Sequence, residues 1–348
     1  VREAALERYM KKIETLDGIR GLSIILVILG HCYQSFTYGG LELFLDKYYK
    51  LHNVGVSLFF TLSGYLITRI LLIEESKKDE INIKVFFKKR FFRIFPAYYF
   101  YILALFITNL FVTLDIEPAS FYGAIFYAGW YWPLENNLHY FGHLWSLGTE
   151  EHFYIIFPFI FAFCRKRRIE LITFLILAAP FVRVLNYLLL PTYKAKMGFL
   201  THTRYDMILF GCLFALIEGK DFIKYFIDKI NTKTYLYSIV FFIFFLNPYL
   251  KVTLGAQYKY ILAYSLDGLM ISLFILLMVK NNDQSKFFRS KILSVIGLYS
   301  YSLYLWQQPF THLFGAPYNI LFTILAALFS YHIIEKPFLK IKERLSKQ

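Results

Sequence analysis

Leu16-Asp17-Gly18-Ile19-Arg20-Gly21 opens an apolar run that closes at Gly30-His31. The run is long enough to be a membrane helix, and its ionisable groups sit at its two ends. At about 100° per residue, Asp17, Arg20, Ile24, Ile28 and His31 fall on one stripe, while the other faces are almost wholly aliphatic. Charge at membrane depth is costly, so such a stripe turns toward a bundle interior or a wet cavity. The alternative is that Asp17 and Arg20 pair at the water interface and His31 caps the far end. This helix alone does not separate the two.

The rest of the chain repeats its character. Of 348 residues, 57% are hydrophobic and 21% aromatic, with 39 Phe and 29 Tyr, and only 18% are charged. Apolar runs of about 20 residues recur from end to end. They predict an all-α, polytopic transmembrane bundle; the period-two alternation of an outer-membrane barrel is absent. About ten spans are expected, at 16–36, 54–73, 94–113, 144–164, 169–190, 203–218, 234–250, 258–279, 292–312 and 317–335. The segment 114–143 is rich in Tyr and Trp and has room for an interfacial helix. The charged first fifteen residues are expected to be helical, and no small-residue cleavage site follows, so they do not read as a removed signal peptide. The spans use the whole chain, so 1–348 reads as a single integral-membrane domain with no appended soluble domain.

The net charge of +14 would suggest nucleic acid in a soluble protein. Here the basic residues lie in short segments between apolar runs, and no nucleic-acid-binding motif accompanies them. With the N-terminus inside, 28 of the 38 Lys and Arg fall in inside segments, 6 outside and 4 within spans. By the positive-inside rule both termini are cytoplasmic and the 114–143 segment faces out. The expected location is the cell (inner or plasma) membrane, multi-pass, with lipid as the surroundings. Cys32, Cys164 and Cys212 lie in or at the ends of apolar runs without metal-ligand spacing, and no metal and no disulfide framework is expected.

Two places carry residues suited to chemistry. His31 lies fourteen residues beyond Asp17, about 21 Å along a helix, and so toward the outer side. The fourth span enters from outside as His143-Leu144-Trp145-Ser146-Leu147-Gly148-Thr149-Glu150-Glu151-His152-Phe153-Tyr154. Ser146, Glu150 and Tyr154 share a face, and Glu150 is expected at the depth of His31. A histidine and a carboxylate at one depth suit a base and its orienter; a structural pair joining two helices is the alternative. Two adjacent acids, Glu150 and Glu151, are expensive to bury without purpose. On the inner side Arg90 and Arg93 point the same way from the start of the third span. Guanidinium forks suit phosphate oxygens, although positive-inside charge also belongs there. Ser63-Gly64 permits close backbone approach. Arg204 and Asp206 are two apart, do not face each other on a helix, and each need a partner elsewhere. Arg69, Arg183, Asp267 and Glu335 are further polar groups at depth.

Several stretches together resemble the acyltransferase type 3 family, polytopic enzymes that acylate surface glycans. These are Leu16–Gly21 through Gly30-His31, Gly55 to Thr68, Arg90-Phe91-Phe92-Arg93-Ile94-Phe95-Pro96, Leu144 to Tyr154, Thr203-Arg204-Tyr205-Asp206, Tyr299 to Trp306, and Glu335-Lys336-Pro337. They occur in the family's order; His152 and Gln307 depart from it, standing where Gln and His are commoner. The resemblance implies a cytoplasmic acyl-CoA donor, most simply acetyl-CoA, held by Arg90 and Arg93. It also implies an outer acceptor, a surface polysaccharide or lipid-linked glycan, and His31 as the catalytic group. Asp17, Arg20, Ser63, Gly64, Glu151, Tyr154, Arg204, Asp206 and Glu335 are expected to support the site. General-base catalysis by His31 with Glu150 as orienter and a covalent acyl-histidine both fit. A transporter or flippase whose buried charges line a path is the rival class; it predicts symmetric broken helices, which the sequence lacks. The acyl group, the acceptor and the oligomeric state are not written in the sequence.

Overall fold

The computed structural model describes residues 13–32, 50–127, 138–281 and 285–345. The expected helix over the first residues, the close of the first span beyond Cys32, and residues 128–137 of the aromatic segment lie outside the described residues. Among the described residues there is no strand. The helices are α1 (Glu14–Cys32), α2 (Leu51–Lys78), α3 (Ile83–Phe111), α4 (Pro118–Ile125), α5 (Leu138–Phe141), α6 (Leu144–Phe163), α7 (Arg168–Leu189), α8 (Thr201–Ile217), α9 (Asp221–Lys229), α10 (Thr232–Thr253), α11 (Gly255–Lys280), α12 (Lys291–Leu313) and α13 (Tyr318–Leu345).

Seven of these are long and apolar enough to cross a membrane: α1, α2, α3, α7, α10, α11 and α13. The three other long helices depart from that profile for visible reasons. α8 has only 17 residues, α6 carries Glu150, Glu151 and His152 near its middle, and α12 is interrupted by Ser, Tyr and Gln. The short α4 lies in the aromatic segment, where a helix was expected.

Polarity is arranged inside out. On α7, Arg183 and Asn186 are 0% and 4% exposed, whereas Leu177 and Leu188 are 72% and 66% exposed. A helix that buries its cation and displays its leucines suits a hydrocarbon surround. Several buried charges are paired. Arg183 Nη1 donates to Asp206 Oδ2 at 2.9 Å, and Ser265 Oγ donates to the same oxygen at 2.6 Å. Arg69 pairs with Glu218 at 3.0 Å, and Lys251 with Asp267 at 2.5 Å. Asp206 thus finds its partner on α7. Arg204 instead lies over aromatic rings, with its Cζ 4.1 Å from the Tyr264 centroid and 5.7 Å from that of Trp145.

α1 is the axis of the bundle, packed between α12 and α2, and α2 in turn packs on α8. At the α2–α8 crossing Gly64 meets Ile208 and Gly211 meets Thr61, and a Cβ on either glycine would overlap the facing backbone carbonyl. Small residues let these helices approach to backbone contact. That approach sets Ser63, next to Gly64, at a fixed depth against α6.

Candidate active site

One half of the site is built on α3. Asn82 caps the helix, its side chain accepting the Val85 N–H at 3.0 Å. The helix therefore begins well before its apolar run, and its first three turns carry Lys88, Lys89, Arg90 and Arg93. Arg90 and Arg93 fare differently. Arg90 Nη2 donates to Glu151 Oε1 at 2.9 Å and lies 4.0 Å from Glu150 Oε2. Its Cζ sits 3.1 Å over the Tyr154 ring centroid. Two carboxylates and an aromatic face thus hold one guanidinium. Ser63 Oγ donates to Glu150 Oε1 at 3.0 Å, fixing the carboxylate from the α2 side. Arg93 lies instead within electrostatic reach of Arg20 and of Glu335, whose Oε2 accepts from Ser302 Oγ at 2.9 Å.

These side chains line one cavity of about 350 Å³. Lys89, Arg93, Arg20, Lys342 and Glu74 line it at the α3 N-terminal end, and Ser146 and Tyr304 at the other. Tyr154, Glu150 and Ser146, one turn apart on α6, line it along about 12 Å. The face read for these three residues is the cavity wall. Its remaining walls are aliphatic and aromatic, including Val56, Phe59, Leu62, Leu66 and Ile67.

Beyond the far end stands a cluster of imidazoles. The Tyr304 hydroxyl donates to the His143 carbonyl at 2.8 Å and shares a 2.5 Å hydrogen bond with Ser146 Oγ. His143, fully buried at the start of α6, has its Nε2 3.1 Å from the Leu305 carbonyl. A carbonyl only accepts, so Nε2 carries the proton and Nδ1 is a bare lone pair; it has no partner. His143 is within electrostatic reach of His31. The His31 ring stacks on that of His52, centroids 4.9 Å apart and planes at 16°. This stack depends on Gly30, since a Cβ there would overlap the His52 backbone nitrogen. The Gln307 amide adjoins the His31 ring, yet neither amide atom reaches hydrogen-bond geometry with any partner. His31 Nδ1 and His52 Nδ1 are likewise buried and unpartnered. A buried group of imidazoles and an amide with open hydrogen-bonding capacity is poised for a polar ligand.

The sequence-read residues therefore divide. Arg20, Ser63, Arg90, Arg93, Glu150 and Tyr154 share the cavity, with Glu151 and Glu335 behind its wall. Gly64 sets the α2–α8 crossing, and Asp17 lies where α1 crosses Gly297 of α12. Arg204 and Asp206 belong to the α7–α8–α11 network. His143, not Glu150, is within electrostatic reach of His31, and Glu150 lies seven residues, about 10 Å, along α6 from His143. No hydrogen bond joins Glu150 to His31 among the described residues; Glu150 is bonded to Ser63 and faces Arg90. The residues around the His31 ring are His52, His143 and Gln307. Sequence reading passed over the first two because each opens its helix, outside the apolar windows that drew attention.

The fold and the cavity define a polytopic membrane protein with a cavity between its helices that carries charged groups on largely apolar walls. A family model described as an acyltransferase domain matches residues 13–333, and the chain belongs to that family, acyltransferase type 3. O-acetyltransferase OatA of Staphylococcus aureus (strain NCTC 8325 / PS 47) is 30% identical over 362 residues, covering 93% of this chain and 57% of the relative. A putative O-acetyltransferase of Staphylococcus aureus (strain COL) is 28% identical over 370 residues, covering 95% of this chain and 58% of the relative. The chain thus spans 57–58% of the length of these curated relatives. No solved structure matches it.

Proposed function

We propose that this chain moves an acyl group, most simply acetyl, from cytoplasmic acyl-CoA to a hydroxyl of an extracytoplasmic or lipid-linked polysaccharide. The observation that carries the proposal is the single cavity joining a cationic end at Arg93 and Lys89 to Ser146 and Tyr304, next to the histidine cluster. The chain is read as crossing the cell membrane ten times, α6, α8 and α12 included, with both termini cytoplasmic, as the distribution of basic residues supports. The nucleotide of the donor stays at the cationic end. Its pantetheine arm, slender and largely uncharged, follows the apolar walls past Arg90 and Glu150. The thioester reaches the His31 cluster without the cofactor crossing as a whole.

There His31 acts as general base. It takes the proton of the acceptor hydroxyl as that oxygen attacks the thioester carbonyl carbon. The tetrahedral intermediate expels the sulfur, the C–S bond breaks, and the thiolate recovers a proton from the imidazolium. His52 holds the ring plane by stacking, and Gln307 is the nearest amide to steady the ring or the incoming hydroxyl. Glu150, with Glu151, anchors Arg90 along the path and takes no proton from the acceptor.

Mass spectrometry of the surface glycan from cells with the gene, without it, and complemented with His31→Ala tests the reading. Acetyl esters are expected only with the intact gene. Esters that persist without the gene, or with His31→Ala at normal protein level, overturn it. Reporter fusions test the orientation: those after residue 125 are expected outside, and those after 80 and 225 inside.

A further inference from the structure

The matched family region ends at residue 333, within α13, but the helix continues to Leu345. Its last part, Lys336–Leu345, packs back on α3, and Phe338 stacks on Phe92 with centroids 6.2 Å apart. The continuation is made through a π-helical turn at Tyr331–Glu335, after which Pro337 sits in the first turn of the next segment. The Lys336 N–H donates to the Tyr331 carbonyl, five residues back, so Pro337, which has no N–H to donate, falls where the hydrogen-bond ladder is already in π register. The result brings Lys342 to the wall of the main cavity, beside Lys89, Arg93 and Arg20.

Four cations from three helices thus line one end of the cavity. They are half-buried rather than spread over a solvated surface. Lys342 is within electrostatic reach of Arg93, Arg20 and Lys89. Among the described residues, carboxylates in the same region include Glu74, on the lining, and Glu335, held by Ser302 behind it, with Glu343 beside Lys342 on its own helix. Positive-inside orientation requires charge on one side of the membrane; it does not require four cations to converge from separate helices at the cost of mutual repulsion. Convergence is offset when a polyanion sits among them. Arg90, by contrast, is already held by Glu151, Glu150 and Tyr154.

We infer that Lys342, with Lys89, Arg93 and Arg20, forms a cradle for the phosphates of the nucleotide thioester, and that Arg90 is a positioning residue rather than a phosphate ligand. The ligand class is a nucleotide-linked pyrophosphate or phosphomonoester. The C-terminal segment of α13 is thereby part of the donor site. The inference rests on the donor reading above, and its test separates the two.

The full-length chain in detergent is titrated calorimetrically with coenzyme A and, separately, with inorganic pyrophosphate. Wild type is expected to bind both. Lys342→Glu is expected to weaken both at least tenfold, and Lys342→Arg to bind within about threefold of wild type, since a cation remains to meet a phosphate. Thermal unfolding of Lys342→Glu close to wild type excludes misfolding as the cause; if that variant is unstable, Lys342→Gln is titrated instead, with the same direction expected. Coenzyme A binding that is equal in wild type, Lys342→Glu and Lys342→Gln overturns the cradle and leaves the donor reading standing. Pyrophosphate binding that depends on Lys342, without coenzyme A binding, keeps an anion cradle and overturns the donor reading. Binding of neither probe by wild type overturns both.

Discussion

The two ends of the cavity are made of opposite materials. At one end Lys89, Arg93, Arg20 and Lys342 face it. Beyond the other end, past Ser146 and Tyr304, the polar groups are His31, His52, His143 and Gln307, with nitrogen lone pairs and an amide left open. Permanent charge suits a ligand that is always anionic, such as a phosphate. Imidazole suits a group that must take and return a proton near neutral pH. Between them Arg90, Glu150 and Glu151 form an ion-paired knot. On the proposed function, binding energy is gathered at the cationic end and chemistry is done at the imidazole end. Each end is therefore open to separate attack.

The largest effect is expected from the outer end. His31→Ala removes the proposed base, and general-base contributions are about 10²–10⁴-fold. Turnover is expected to fall by that order in a vesicle assay with radiolabelled acetyl-CoA, while calorimetric affinity for coenzyme A stays within about twofold. A parallel loss of donor affinity would show that the two ends are not separable.

Next in size is the contrast between the two arginines of α3. Arg90→Gln strands Glu150 and Glu151 in a mostly buried site, and breaking such a pair costs roughly 3–5 kcal/mol. Its main symptom is expected to be a lowered thermal midpoint with loss of activity. Arg93→Gln removes one of several like charges at the mouth, so its stability is expected to hold while the donor KM rises. Equal thermal midpoints for the two variants would remove the distinction between an anchored and a ligand-facing arginine.

How much of this was legible beforehand follows from the same contrast. Apolar runs locate the helices, because hydrocarbon exposure leaves a local signature. The ends were harder. α3 begins at Ile83 rather than 94, since its first turns are cationic and lie outside any apolar window. α13 runs past Pro337 because a π-helical turn precedes it, and nothing in hydropathy reports that. His31 stood out as an ionisable group at the end of a lipid-length run. Its neighbours did not, because they depend on how far α2, α6 and α12 slide along α1. That register is set by backbone contacts at glycines. The departure noted at Gln307 falls beside His31 itself, which the spacing of the sequence alone did not reveal.

A smaller effect is expected at the contact that makes the imidazole stack. Gly30→Ala puts a methyl group into the His52 backbone, so α1 and α2 must separate locally. Alanine is the better helix former by about 1 kcal/mol, which limits the loss of stability. Displacements of about 1 Å near the reacting atoms cost up to 10²-fold in rate. Turnover is expected to fall by one to two decades with donor KM unchanged. A variant with wild-type turnover would mean that stacking by His52 does not position the His31 ring.

The mildest probe is salt. Raising ionic strength from about 0.1 M to about 1 M shortens the screening length from about 10 Å to about 3 Å. The half-buried cations of the inner end interact with a charged ligand arriving from water, so the donor KM is expected to rise several-fold over that range. The Arg90 pair with Glu151 is close at 2.9 Å and mostly shielded from solvent, and close buried pairs are screened little, so the path itself should persist. The outer end meets a neutral hydroxyl through imidazoles and an amide; kcat at saturating donor and the KM of an uncharged acceptor are expected to change less than twofold. Lys342→Gln should flatten the salt dependence of the donor KM, since one of the screened charges is gone. If kcat moves with salt as much as the donor KM does, charge also governs the chemical step, and the division between a binding end and a reacting end fails.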